Sequence, residues 1–479
     1  MRKISLLLGV LCLFATASLA QSLQRLKNQP PNGAGVPFLL TDGTVMVQGN
    51  SLSDWYKLTP DITGSYVNGT WTKLANLPAG YVPDAFSSAV LADSRVVIVG
   101  GEYNKGAFTL TNQGAIYDPV ANTWTSITPP SFLPYIGDSP SVVLPSGKFL
   151  IGDKLVREMA LLDPATLTWT KISSAGKSDF NAEEGWTLLP DGTILTFDVK
   201  NAPNAEKYVI SQRMWVNAGN TVVDLHSPSP FGCLPYGPNG RFCYFPPGEV
   251  GPAILRPDGT VFAAGSTPQG SRVAHTSIYT PPPVPTDPGT WTQGPDFPAG
   301  DEAGDSYAAL LPNGNVLVLG VSGRLYEFNG LTLTSGPSAS GSLLVLPTGE
   351  VLVGGSELYT SSGTYSQSWA PTITTAPSTV VRGMTYKISG TQFNGLSQAA
   401  AFGDEFETAT NYPLVRITNN STKHVFYART HGHSTMGVAT GSAIVSTNFD
   451  VPSGAETGAS TLEVVANGIP SIAVNVNVN

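Results

Sequence analysis

The stretch Leu188-Leu189-Pro190-Asp191-Gly192-Thr193-Ile194-Leu195 reads as an apolar run, a turn carrying Asp-Gly, and a second apolar run. Asp-Gly between two such runs predicts a tight β-hairpin with a two-residue turn. The pattern recurs around Asp42-Gly43, Asp93-Ser94, Ser146-Gly147, Asp258-Gly259, Asn313-Gly314 and Thr348-Gly349. Successive turns lie 35 to 67 positions apart, a spacing that fits propeller blades better than one large sandwich. Seven hairpins predict seven blades.

Composition agrees with an all-β chain. Charged residues are only 12%, while 51 glycines and 39 prolines suit many short strands and turns and argue against a helical protein. Residues 1–20 carry Arg2 and Lys3, an apolar run from Ile4 to Ala15 and then Ser18-Leu19-Ala20, the pattern of a signal peptide cleaved before Gln21. Cys12 lacks the small residue expected before a lipobox cysteine, so no lipoprotein is expected, and no later apolar run is long enough to span a membrane. The expected product is secreted, extracellular or periplasmic. Losing Arg2 and Lys3 takes the formal charge from −9 to −11, which repels nucleic acid and anionic membranes. Cys233 and Cys243 remain, separated by a Pro/Gly-rich loop. In an oxidising compartment this suits a disulfide, with a metal pair or a reactive thiol as alternatives.

In chain order, residues 21–35 are polar, show no periodicity that would place them on a strand, and read as a lead-in. Blades follow over residues 36–370. The clearest has Val96 to Gly101, Ala115-Ile116-Tyr117-Asp118-Pro119 and Thr123-Trp124-Thr125. Its Gly100-Gly101, Tyr117-Asp118 and Trp124 resemble a Kelch repeat. The tryptophans are expected to fill the gap between outer strands, and the last blade is expected to end on Leu358-Tyr359 and Trp369. After Trp369 the pattern stops. Residues 371–479 alternate as strands, among them Tyr386-Lys387-Ile388-Ser389-Gly390, Leu414-Val415-Arg416-Ile417 and Thr461-Leu462-Glu463-Val464-Val465, and predict an immunoglobulin-like sandwich.

A Kelch-type propeller followed by such a domain, with Val451-Pro452 and Gly468-Ile469-Pro470-Ser471 near its end, resembles the galactose oxidase and glyoxal oxidase family. The resemblance implies a copper held by two tyrosines and two histidines, one tyrosine being cross-linked to a cysteine. The residues here depart from that set. There is no Tyr-His dipeptide, Cys243 of Phe242-Cys243 has Cys233 as a nearer partner, and Glu407-Thr408 stands in the stretch that looks like the family's histidine-bearing loop. The scaffold is therefore expected without the copper site.

Acids stand where the propeller ligands are sought. Asp138, Glu183 and Asp305, with Ser340, lie nine residues before a turn glycine, and Asp84 and Glu249 lie ten before the corresponding turn position. Equivalent positions of blades converge on the axis, so these five acids predict a carboxylate ring at one channel mouth, with Glu184 beside it. Such a ring needs solvent, protons or a cation. Turn capping within each blade is the competing explanation. His431-Gly432-His433 is expected to put two imidazoles on one strand face with Arg429, either half a metal site or surface hydrogen bonding. No Gly-x-Ser-x-Gly elbow and no phosphate-binding loop is present.

The sequence thus predicts an extracellular binding protein for carbohydrate or another polymer, with calcium a possible ligand of the acid ring. Its alternatives are a hydrolase or lyase using the ring, and a divergent copper-radical oxidase.

Overall fold

All seven turns close the same way. In the fourth, the Leu189 amide donates to Thr193 O (2.8 Å) and the Gly192 amide to Leu189 O (2.9 Å), which leaves a three-residue loop whose last residue is left-handed, at φ 83° for Gly192. This corrects the two-residue turn expected from Asp-Gly: the aspartate caps, and the glycine supplies the positive φ of a hairpin bulge. The Asp191 carboxylate accepts from the Thr193 amide (2.9 Å) and hydroxyl (2.6 Å), and Asp42 and Asp258 do the same for Thr44 and Thr260. Ser94 takes the left-handed position, at φ 79°, without glycine.

The computed structural model describes residues 21–228, 248–298, 300–403 and 408–479, with the backbone of 232–234 and 242–244. The expected signal peptide lies outside the described residues. Each turn joins the first two strands of an antiparallel meander, such as Pro37–Leu39, Val45–Gln48, Trp55–Thr59 and Thr70–Lys73. Six sheets have four strands arranged on this plan, and a seventh, built on Ala308–Leu310, has five.

Two elements depart from expectation. The lead-in contains a strand, Ser22–Arg25, paired in antiparallel register with Glu357–Thr360. It supplies the fourth strand of the last meander. Trp369, expected in that role, instead ends a short 3₁₀ turn, Gln367–Trp369, with its ring against Gly314, where a Cβ would come within 2.7 Å of it. The outer place is filled by Ser22–Arg25.

The aromatic pattern works as packing. Tyr117 and Trp124, Tyr208 and Trp215, and Tyr279 and Trp291 are cross-strand neighbours with ring centroids 5.1, 5.3 and 4.9 Å apart. Indole N–H groups reach the preceding meander: Trp124 Nε1 donates to Ala75 O (3.1 Å) and Trp291 Nε1 to Ala218 O (3.0 Å).

The C-terminal strands form one sheet of nine, eight along a continuous path and one, Ile469–Pro470, beside Gly458–Ala466, where two separate sheets were expected. Val425–His431 makes the join: residues 425–428 pair with Leu414–Asn419, and Arg429, Thr430 and His431 pair with Val445–Asp450. A strand of this length can leave one layer and enter the other. A finger from this region, Ala400–Ala401, adds the fifth strand beside Ala308–Leu310. The Leu310 amide donates to Ala399 O (2.9 Å) and the Leu188 amide to Gln398 Oε1 (2.8 Å). The finger therefore runs along the innermost strands.

Candidate functional site at the mouth of the inner strands

Asp138, Glu183, Glu249 and Asp305 lie three or four residues ahead of the innermost strands Ser141–Val143, Thr187–Leu188, Ala253–Leu255 and Ala308–Leu310. Two of them are held in a left-handed backbone, Glu183 at φ 57° and Asp305 at φ 50°, which costs roughly 1 to 2 kcal/mol for an L-residue.

Two residues that sequence reasoning missed complete the group. Glu102 and Lys154 each lie just past the second strand of a meander, after Val96–Val99 and Phe149–Asp153. The Lys154 ammonium bridges Asp138 Oδ2 and Glu183 Oε1, the latter at 2.8 Å. Asp138 is buried, and its Oδ1 has no hydrogen-bond partner among the described residues. Their position at the ends of second strands, which also face the mouth, was the available signal.

Crowded acids in a walled mouth resist ionisation. Burial, reinforced by the Asp138 charge, raises Glu102 to about 7. Burial also raises Asp138 to about 6, with Lys154 opposing it. Asp305, whose edge is exposed, is raised to about 6 by the enclosing protein and then by Glu183. Glu249 goes furthest, to about 10, through burial and then the charges of Glu183 and Asp305. At neutral pH the mouth therefore holds a protonated carboxyl, carboxylates and an ammonium together.

The C-terminal finger reaches this group. A Cβ on Gly403 would stand 2.9 Å from Val250 O and 3.5 Å from Asp305 Oδ1, so only glycine allows the approach, and Phe402 packs on Tyr307 with centroids 4.6 Å apart. Glu407, expected in the ligand-loop position, lies outside the described residues, while Thr408 is buried.

Asp84 is set apart. It is exposed and pairs through its backbone with Tyr103 in a small three-stranded sheet, Pro83–Asp84, Tyr103–Asn104 and Ala107–Phe108. Glu184, expected beside the ring, points away into the interior. It takes two bonds of 2.8 Å from Lys177 Nζ, which also reaches Glu206 (2.9 Å). Asp198 joins Glu184 and Glu206 in a buried trio of carboxylates.

The histidines lie elsewhere. His226, His275 and His424 contact Asp224, Asp296 and Glu456. His431 and Arg429 share Asp450, but Gly432 turns the chain at φ 63°, so His433 leaves that face and packs parallel to Tyr412. The expectation of two imidazoles on one face is thereby corrected. His433 is buried, which lowers it to about 3 and keeps it neutral.

No family model matches the chain, and no curated protein matches it. Among solved structures it is similar to a fungal alcohol oxidase of the AA5 family in complex with copper, at 13% identity and a TM-score of 0.51, covering 96% of this chain and 98% of that one. Others are the extracellular domain of a one-component system from B. thetaiotaomicron (11% identity, TM-score 0.47, 97% of this chain and 59% of that one) and virginiamycin B lyase from Staphylococcus aureus (10% identity, TM-score 0.45, 71% and 98%). The first likeness gives the β-propeller scaffold and no chemistry.

The described donor set does not fit copper. The grouped side chains at the mouth are carboxylates with their own ammonium, whereas copper(II) sites favour imidazole and the five histidines are engaged elsewhere. Among the described residues no helix is long and apolar enough to cross a membrane.

Proposed function

We propose that the chain is a secreted binding protein whose seven Kelch-type blades (residues 36–370) follow a signal peptide (1–20) and a lead-in (21–35), with residues 371–479 forming an immunoglobulin-like domain. Its mouth binds a carbohydrate or a similar polyhydroxylated polymer. The observation that carries this reading is Asp138: a buried carboxylate tied to Lys154 on one oxygen, with no partner among the described residues on the other. Hydroxyl groups donate well to carboxylates and accept from ammonium or carboxyl groups, and the mouth offers all three. Lys154 already sits between Asp138 and Glu183, which disfavours calcium there relative to a neutral hydroxylated ligand.

The test is a thermal melt with a glycan panel, calcium and chelator on wild type and on Asp138→Asn/Asp305→Asn. A glycan should raise the wild-type melting temperature by mass action and leave the double variant unmoved. A shift with calcium alone would replace the sugar by a cation, and no shift with either would leave the acids as turn caps.

A second reading rests on Glu249. A carboxyl still protonated at neutral pH beside Glu183 is the pairing of a general acid with a carboxylate used to cleave glycosidic bonds. Release of new reducing or unsaturated sugar ends, abolished in Glu249→Gln, would establish a hydrolase or lyase.

Cys233 and Cys243 belong to the same secreted reading. Their side chains lie outside the description, but their backbones stand opposite each other between Gly232–Leu234 and Phe242–Tyr244. Opposite residues in an antiparallel pair have Cα atoms about 4.5 to 5.5 Å apart, within disulfide reach. We expect no free thiol in the non-reduced mature protein, and two free thiols would exclude the bond.

A further inference from the structure

A groove of 580 Å³ opens over the loops that carry Glu249 and Asp305. Its backbone is tied directly to theirs. The Ser227 amide donates to Glu249 O (2.8 Å), the Val321 amide to Glu302 O (2.9 Å) and the Ala303 amide to Gly265 O (3.0 Å), and Glu302 lies three residues before Asp305. Mouth and groove are therefore neighbouring parts of one surface. Another open groove, 370 Å³ around Asp191 and Gly192, lies at the turn end of the strands, away from the carboxylates.

The groove is amphipathic in a way that selects its ligand. Pro228, Pro268 and Val321 give apolar surface, and Val321 is 55% exposed. Gln269, Arg272 and Glu302 stand around them, with Glu302 fixed by accepting the Thr267 amide. Gln269 both donates and accepts, Arg272 donates through a planar fork, and Glu302 accepts. A pyranose ring presents the complement, an apolar C–H face bordered by hydroxyls. Arg272 and Glu302 offset each other, and the acids of the mouth repel polyanions, so a neutral ligand fits. The volume, within the range of about 300 to 1,000 Å³ for small-molecule sites, holds more than one ring.

We infer that this groove binds the following units of a neutral oligosaccharide whose first unit occupies the mouth. This rests on the carbohydrate reading above and adds that the ligand is a chain, not a monosaccharide.

A glycan array of neutral mono- to hexasaccharides, uronides and sulfated oligosaccharides would identify the bound series. Its monosaccharide and tetrasaccharide are then titrated into wild type, into Gln269→Ala/Arg272→Ala and into Asp138→Asn/Asp305→Asn. We expect a neutral series, with the tetrasaccharide about tenfold tighter than the monosaccharide, as two or so net hydrogen bonds provide. The groove variant should lose that gain and keep the monosaccharide affinity, and the mouth variant should lose both. Equal affinity for both lengths, a groove variant that keeps the gain, or a preference for polyanions overturns the groove assignment and leaves the mouth reading standing. Failure of every glycan to bind removes both.

Discussion

Glu183 and Glu184 are adjacent in the chain and serve two lysine–carboxylate clusters of opposite character. Glu184 is wholly buried, and Lys177, equally buried, bonds to it and to Glu206 while lying 4.9 Å from the centre of the Trp215 ring. Ser178 and Asn204 donate to Asp198 Oδ2, while Asp198 Oδ1, like Asp138 Oδ1, has no partner among the described residues; all three interior carboxylates are buried. Glu183 faces the mouth with a partly exposed side chain, and Asp305 of the same group is exposed. The same chemistry stabilises a fold where it is enclosed and leaves capacity for a ligand where it meets solvent.

Removing either lysine tests this contrast, and the interior one should matter most. Lys177→Met strands buried carboxylates without a counter-charge, which costs about 3 to 5 kcal/mol; we expect this loss in denaturant melts. Lys154→Met should cost less, about 1 to 3 kcal/mol at pH 8, because Glu183 can draw water and the acids can protonate. Asp138 and Asp305, raised to about 6, bind protons more readily folded than unfolded. Their contribution is therefore present at low pH and lost as pH rises from the ordinary carboxylate range through about 6. The Lys154→Met penalty should accordingly shrink at pH 5. A penalty independent of pH would mean that the mouth is as closed as the interior.

Glu249→Gln should act in the opposite direction. A carboxyl raised to about 10 makes the wild type progressively less stable as pH rises above the ordinary range, and glutamine never ionises. The variant should match wild type near pH 5 and melt roughly 2 °C higher at pH 8. Equal melting temperatures at pH 8 would show that Glu249 is freely solvated. The smallest effect is expected for Asp84→Asn, which should change neither the melt nor glycan binding. A loss of binding would place Asp84 at the mouth.

Much of the architecture was legible because it is local. Alternating apolar runs around Asp-Gly mark a hairpin, and the Tyr and Trp of later strands meet as direct cross-strand neighbours. The finer turn geometry was not, since Asp-Gly suits two loop types and only the Leu189–Thr193 pairing chooses between them. Ser22–Arg25 escaped notice because an exposed edge strand needs no apolar alternation: its partner Glu357–Thr360 supplies the register.

For the mouth, an offset of nine or ten residues before the turn picked out Asp138, Glu183, Glu249 and Asp305 as candidates, since equivalent positions in a repeated unit share one direction. It could not tell Glu183 from Glu184, where a left-handed residue sends adjacent side chains to opposite surroundings. Nor could it supply Lys154, which lies at the end of a different strand and meets these acids only when the meanders stand side by side. Charge pairing and burial depend on distances between segments remote in the chain, and packing decides those.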